Sequence, residues 1–408
     1  MESSPQKRVL FQDLVRTHGS PLYVYDGQII ADRVSRLKRA FGGFPHKLHY
    51  AAKALSNLSI LRLIRSLGCG LDAVSIQEVQ LGFMAGFEPD EILFTPNNVP
   101  FVEIEQAVGL GVHVNLDSLS AIRKFGETFG NQYPVFIRLN PHILAGGNPK
   151  IQTGHIDSKF GISIFQLNEI ESLVNEFDLN VEGIHIHTGS EFLDPGVFLQ
   201  GADILFKAAA AFPRIRYIDF GSGFKVPYKK GDVVTPIEEL GEALEKAVGA
   251  FNAGRANPVE IWFEPGKFLV SEAGTLLCTV NTVKKTPVSA FLGVDTGLNH
   301  LIRPMMYDAF HEIENISVSE DPNQIYNIVG YICETDTLGY SRSLPVTSEG
   351  DILAIHNAGA YGFSMASQYN SRFRPAEILL WKDQAVCIRR RESMEDLLRG
   401  QLGFPGLD

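Results

Sequence analysis

Cysteine is scarce in this chain: four in 408 residues, at 69, 278, 333 and 387, with no C-x-x-C pair. No histidine lies near them at metal-ligand spacing, so a disulfide framework is excluded and no metal site is expected. Four reduced, mostly buried thiols are the simplest reading. Positive charge is short as well, 36 Lys+Arg against 47 Asp+Glu, a formal charge of −11. A nucleic-acid partner needs a basic stripe that this balance does not supply. No apolar run approaches the roughly 18–20 residues of a membrane span, and MESSPQKRVLFQDLVRTHGS lacks the apolar stretch of a secretory leader. There is no internal repeat, no low-complexity linker, and no Gly-rich dinucleotide fingerprint after the first strand. A globular chain, 45% hydrophobic and 20% charged, expected in the cytoplasm, is what remains.

What the chain does have is alternation. Eight β-branched or aromatic runs recur: LHYAA (48–52), LDAVS (71–75), ILFTP (92–96), VHVNL (112–116), VFIRL (135–139), GIHIH (183–187), RYIDF (216–220) and EIWFE (260–264). Segments with apolar residues three and four apart, such as NLSILRLIRSLG, separate most of them. Eight strands alternating with helices over about 240 residues predict an α/β fold, a (β/α)8 TIM barrel over 28–280, with a doubly wound open sheet as the alternative. Beyond residue 280, IYNIVGYICE, GDILAIHNAG and AEILLWKDQAVCIRRR alternate between turn residues. They predict a C-terminal antiparallel β domain, 281–408, joined by residues 1–27. PLYVYD (21–26) is a strand too early for the barrel and fits that sheet.

In a barrel, reactive groups gather at the C-terminal ends of the strands. Strand one ends in Lys53, strand six in His187 and then Ser190, strand seven in Gly221-Ser222-Gly223, and strand eight in Glu264-Pro265-Gly266-Lys267. Asp72 lies on strand two, and strand five carries Arg138 followed by Asn140. Singly these are ordinary features. On one face they assemble an amine, an imidazole, a carboxylate and Gly-rich turns whose N–H groups can cradle phosphate. That set fits pyridoxal 5′-phosphate, with a lysine for its aldehyde and a carboxylate to keep its ring nitrogen protonated.

The order of the motifs HYAAKA, GLDAVS, IRLNP, SKFGIS, HIHTGS, DFGSGF, EPGK, LIRPMMY, ICETD and GAYGFSMASQYNSRFRPAE resembles the fold-type III pyridoxal-phosphate decarboxylases. Within them it is similar to the diaminopimelate decarboxylases, and the resemblance spans nearly the whole chain. It implies an alanine-racemase-like fold and conversion of meso-2,6-diaminopimelate to L-lysine and CO2, the last step of lysine biosynthesis. Lys53 then corresponds to the Schiff-base lysine, His187 to the histidine stacked on the ring, and Glu264 to the partner of the ring nitrogen. Asp72 is implied beside the cofactor, and Ser190, Gly221, Ser222, Gly223 and Gly266 around its phosphate. Arg303, Tyr307 and Lys267 correspond to residues that hold a substrate carboxylate, and Tyr361 to a tyrosine at cofactor and substrate. Cys333 and Glu334 correspond to a pair supplied by the second subunit of a homodimer with shared sites, the cysteine handling the proton that replaces CO2 and the glutamate reading the distal amino group.

Four motifs depart from the family pattern: EPGK stands for EPGR, Gly221-Ser222-Gly223 for G-G-G, HTGS for HIGS and Cys333-Glu334-Thr335 for C-E-S. Lys267 keeps the charge of the usual arginine but not its bidentate fork. Decarboxylases of ornithine, lysine, arginine or carboxynorspermidine are therefore the alternatives, as are an alanine racemase and a non-catalytic pyridoxal-phosphate carrier. Among the remaining polar residues, His185 reads as a satisfied core histidine and RRRES (389–393) as solvated surface charge. Arg372 and Arg374 suit structural roles at least as well as substrate contact. The Gly/Pro-rich PHILAGGNPKIQTGHIDSK, with His155 and Lys159, reads as a lid.

Overall fold

The computed structural model describes residues 3–143, 158–187, 189, 192–318 and 322–403. Ser190 and His155 lie outside the described residues, as does most of the expected lid. By internal packing the chain divides into two units, Ile30–Pro227 with Asp232–Leu269, and Met1–Ile29 with Tyr228–Gly231 and Val270–Asp408. No helix among the described residues is long and apolar enough to cross a membrane.

Strand β1 (Leu22–Asp26) precedes the barrel. Eight parallel strands then close on themselves: β2 (His46–Ala51), β3 (Gly70–Ala73), β4 (Ile92–Phe94), β5 (His113–Leu116), β6 (Val135–Asn140) with the two-residue β7 (Ile162–Ser163) appended to it, β8 (Val181–His185), β9 (Tyr217–Asp219) and β10 (Glu260–Phe263). β10 pairs with β2, which closes the circle and establishes the TIM barrel. The strands are buried on both faces, hence their continuous apolar runs. The helices that follow start on side-chain caps: Asn57, Ser75, Ser118 and Asp194 each accept a backbone N–H of the first turn. Most apolar runs outlast their strands by one or two residues, so that Lys53, His187 and Glu264 fall on the turns just beyond.

The barrel interior is layered. Phe136 stacks on Trp262 at 5.0 Å and on Tyr217 at 5.7 Å, and His49 lies 4.2 Å from Trp262. Gly183 leaves room for the Phe136 ring, which a Cβ there would meet at 2.2 Å. Side chains two apart share a strand face. Two residues further along, Phe136 gives way to Arg138, Tyr217 to Asp219, Trp262 to Glu264 and Gly183 to His185. An aromatic floor thus carries a charged layer at the C-terminal end.

In the second unit β11 (Gly274–Lys285), β12 (Ala290–Val294), β13 (Ile313–Asn315), β14 (Asn323–Val329), β15 (Thr337–Pro345), β16 (Ile352–Ile355), β17 (Ala376–Trp381) and β18 (Gln384–Arg389) form one sheet with β1. The expected antiparallel sheet is in fact mixed. β1 inserts between β11 and β17, antiparallel to the first and parallel to the second, and β12 and β14 are also parallel. The helix Pro5–His18, capped by Ser4, buries Phe11 and Leu14 against Leu22, Val24, Leu277 and Ile378.

The RRRES segment lies at the surface, with Arg389 and Arg390 exposed, and its charges are also paired. Arg389 pairs with the buried Glu377, Arg390 with Asp396 at the start of helix Met394–Leu398, and Arg391 donates to the carbonyl of Pro21 at 2.7 Å. Glu392 binds Arg374, and Arg372 lies over the Tyr331 ring, so both of these arginines have structural contacts. Nor are the thiols mostly buried: Cys69 and Cys278 are, whereas Cys333 and Cys387 are exposed.

Candidate active site

Lys53 sits on the single turn Ala52–Ala54 that ends β2. Its ammonium, partly exposed, lies 3.5 Å from Oδ2 of the buried Asp72, whose other oxygen accepts a short hydrogen bond from Thr95. The Lys53 turn meets the Glu264-Pro265-Gly266-Lys267 turn closely. Ala51 N–H points to the Pro265 carbonyl at 3.4 Å, and a Cβ on Gly266 would lie 3.1 Å from the Cβ atoms of both Ala51 and Ala54. Lys267 is buried at the start of the short helix Lys267–Val270.

Glu264 is buried, and its Oε2 lies 3.3 Å from His185 Nε2 while Oε1 has no hydrogen-bond partner. Asp219 accepts the Gly221 N–H at 2.7 Å through Oδ1, and its Oδ2 is buried without a partner. A ring nitrogen of His185 and oxygens of Asp219 and Glu264 lie within 4.8 Å of one another. The Arg138 guanidinium and the Lys53 ammonium act on the same carboxylates and disfavour a cation there.

Burial dominates the titration of this layer. Asp72 is pushed up to about 6 by burial and by Glu264, against the pull of Lys53 and the Thr95 hydrogen bond. Burial, with Glu264 and Asp72 adding to it, pushes Asp219 well above the usual carboxylate range. Glu264 is raised by burial too, with Lys53 and Arg138 opposing the shift. His185 and His187 are held well below the usual histidine range, first by burial and then by cations including Lys53 and Arg138.

The turn after β9 needs its glycines. Gly221 has φ +62°, and a Cβ there would lie 2.6 Å from His187 Nδ1; Gly223 has φ +125° and would meet the Gly189 carbonyl at 2.5 Å. The Ser222 N–H donates to His187 Nδ1 at 3.3 Å. Imidazole and glycine turn are therefore one assembly.

A family profile described as "Pyridoxal-dependent decarboxylase, pyridoxal binding domain" matches residues 27–271. The diaminopimelate decarboxylase of Methanothermobacter thermautotrophicus is 39% identical, the alignment covering 95% of this chain and 93% of that protein. The chain belongs to the diaminopimelate decarboxylase family. Crystal structures agree with that placement. The Helicobacter pylori diaminopimelate decarboxylase complexed with L-lysine matches with a TM-score of 0.88 at 34% identity, covering 95% of this chain and 98% of that one. The crystal structure of diaminopimelate decarboxylase from m. jannaschii in co-complex with L-lysine matches with a TM-score of 0.89 at 32% identity, covering 97% of this chain and 95% of that one.

The diaminopimelate decarboxylase cofactor, pyridoxal phosphate, suits the residues present. The orphaned Oε1 of Glu264 is an acceptor for a ring N–H, Lys53 Nζ lies in the same charged layer, and Gly221 and Gly223 form a tight turn that side chains would block.

The remaining expected residues belong to the second unit. Arg303 is buried, lies 4.8 Å from the Tyr228 ring centroid, and its NH1 lies 3.3 Å from His311 Nε2. His311, lowered to about 3 by burial and by Arg303, bonds the His356 carbonyl through Nδ1 and so presents a bare Nε2 to the guanidinium. Tyr307 ends the same short helix, half-buried. Tyr361 has φ +56°, an unusual backbone for a tyrosine, between Ala360 and Gly362. Cys333 accepts from Asn370 Nδ2 at 3.2 Å, and Glu334 accepts from the Tyr369 hydroxyl at 2.6 Å; both lie on the surface. Sequence reasoning missed Asp219 and underrated His185. The signal was available, since each lies two residues before a motif position, on the same strand face.

Proposed function

We infer that the chain catalyses the pyridoxal-phosphate-dependent decarboxylation of meso-2,6-diaminopimelate to L-lysine and CO2. The observation that carries the reading is Glu264, a buried carboxyl with one oxygen unpartnered among the described residues, in the same layer as Lys53 at the C-terminal face of a barrel. When bound, the cofactor supplies an electron sink for the pair left behind by the departing carboxylate.

The roles of the residues follow from their positions. Lys53, partly open to solvent, would carry the cofactor through its amine. Glu264 would hold a proton at the ring nitrogen, and His187, its pKa lowered by burial, would pack on the ring. The backbone of Gly221, Ser222, Gly223 and Gly266, with the Ser190 hydroxyl, would bind the phosphate, while Asp72 orients Lys53. Arg303, Tyr307 and Lys267 would hold a substrate carboxylate, and Tyr361 would contact cofactor and substrate. Cys333 delivers the proton to Cα, and Glu334 binds the distal amino group, both acting in the site of a partner subunit. Their exposure supports that placement. The barrel thus binds the cofactor, and the second unit supplies substrate and dimer contacts.

The deciding experiment is a CO2-release assay with meso-diaminopimelate, its L,L isomer, lysine, ornithine and arginine. Turnover of the meso compound alone is expected. Release from lysine or ornithine at comparable kcat/KM overturns the substrate assignment, and release from none of them overturns the enzyme.

A further inference from the structure

Glu264 is held from one side only. His185 Nε2 lies 3.3 Å from Oε2, while Oε1 is buried and unpartnered. When Glu264 is ionised its oxygens can only accept, and Nε2 is then the donor. His185 is 1% exposed and its Nδ1 has no hydrogen-bond partner, so this is not a core histidine satisfied on both sides. Its ring makes one polar contact, and that contact is Glu264. Asp219 approaches the same carboxylate, but its Oδ1 accepts the Gly221 N–H and its Oδ2 has no hydrogen-bond partner among the described residues, so His185 is the side chain that bonds Glu264. The terminal torsion of a glutamate is broad and roughly two-fold, so without a fixed donor the carboxylate plane is poorly determined.

We propose that His185 is the positioning residue of Glu264: by holding Oε2 it fixes the carboxylate plane and leaves Oε1 as the acceptor for the protonated ring nitrogen of the cofactor. The proposal rests on the assignment of Glu264 to that nitrogen made above. His185 touches neither substrate nor cofactor and acts through Glu264. The barrel's own period-two pattern places it there, one step below His187 on the same face.

The test is a double-mutant cycle read by pyridoxal-phosphate affinity, from absorbance titration of the full-length protein. His185→Leu is expected to weaken binding about tenfold, the worth of one buried hydrogen bond to a charge. In the Glu264→Gln background the same substitution is expected to cost less than about twofold, because its partner has changed. His185→Gln, whose amide can still donate, restores affinity to near that of the unsubstituted protein. Equal losses in both backgrounds, an unchanged affinity for His185→Leu, or a folded His185→Gln that loses cofactor as His185→Leu does overturns the proposal. Should His185→Leu not fold, the His185→Gln affinity decides alone. A Glu264→Gln protein with unchanged affinity and visible spectrum overturns the assignment of Glu264 and the proposal together. A normal Glu264→Gln loss beside a silent His185→Leu overturns the proposal alone.

Discussion

Lys53 Nζ lies 3.5 Å from Asp72 Oδ2, an ammonium partly open to solvent against a carboxylate sealed beneath it. Neighbouring strands β2 and β3 bring the two together through the pairing of Ala51 with Asp72. The pair keeps the lysine pointed into the barrel mouth.

Lys53→Ala removes the covalent anchor. The purified protein should lose the visible absorbance band that borohydride abolishes, and kcat/KM should fall by about three orders of magnitude or more. Persistence of the band would place the cofactor on another lysine.

Asp72 links stability to pH. Its folded pKa of about 6 lies above the usual 3.8, so the native state binds the proton more tightly than the unfolded chain. The contribution is full below the unfolded value and is lost as pH rises through about 6. Urea denaturation of the cofactor-free protein should show Asp72→Asn losing up to about 3 kcal/mol less stability between pH 4 and pH 7 than the parent chain. Parallel pH profiles would show that Asp72 is not the group responsible.

Gly221→Ala places a methyl against His187 and demands a left-handed backbone of an alanine. Cofactor affinity should fall roughly tenfold or more, with the fold retained by circular dichroism. Gly249→Ala is the control: nothing lies within 4 Å of a Cβ there, and affinity should not change.

Lys267 tests substrate recognition. Lys267→Ala should raise KM for meso-diaminopimelate by about tenfold or more with a smaller effect on kcat, and Lys267→Arg should recover most of it. A loss confined to kcat would move Lys267 from carboxylate binding to chemistry.

Shared sites make a prediction of their own. Lys53→Ala and Cys333→Ala subunits, each inactive, should regain up to about a quarter of normal activity when mixed, since half the dimers are mixed and each has one intact site. No recovery in mixed dimers shown to form would put Cys333 in its own subunit's site.

The barrel was legible because eight apolar runs alternate with amphipathic segments, and the rim residues because barrel chemistry sits at strand ends. Lys53, His187, Gly221 and Glu264 could be named that way. The charged layer beneath was harder to read. Arg138, Asp219 and His185 lie inside apolar runs, and their common facing emerges only once the strands are in register. Strand direction in the second sheet was illegible for a related reason: β1 looks the same whether it runs with β17 or against it. The surface position of the RRRES run was legible, but its pairings were not, because the partners, Glu377, Asp396 and the Pro21 carbonyl, are spread over the chain.

β1 also constrains how the protein is made. Tyr23 pairs with Leu276 on one side and with Glu377 on the other. As the chain leaves the ribosome, this strand must wait, unpaired, for residues 276 and 377. Its apolar face of Leu22 and Val24 is exposed throughout that interval, covered at most by the local helix that carries Phe11 and Leu14. Such long-range pairing slows the final assembly step and exposes a sticky edge during synthesis. Chaperone dependence during expression should accordingly track this strand rather than the barrel.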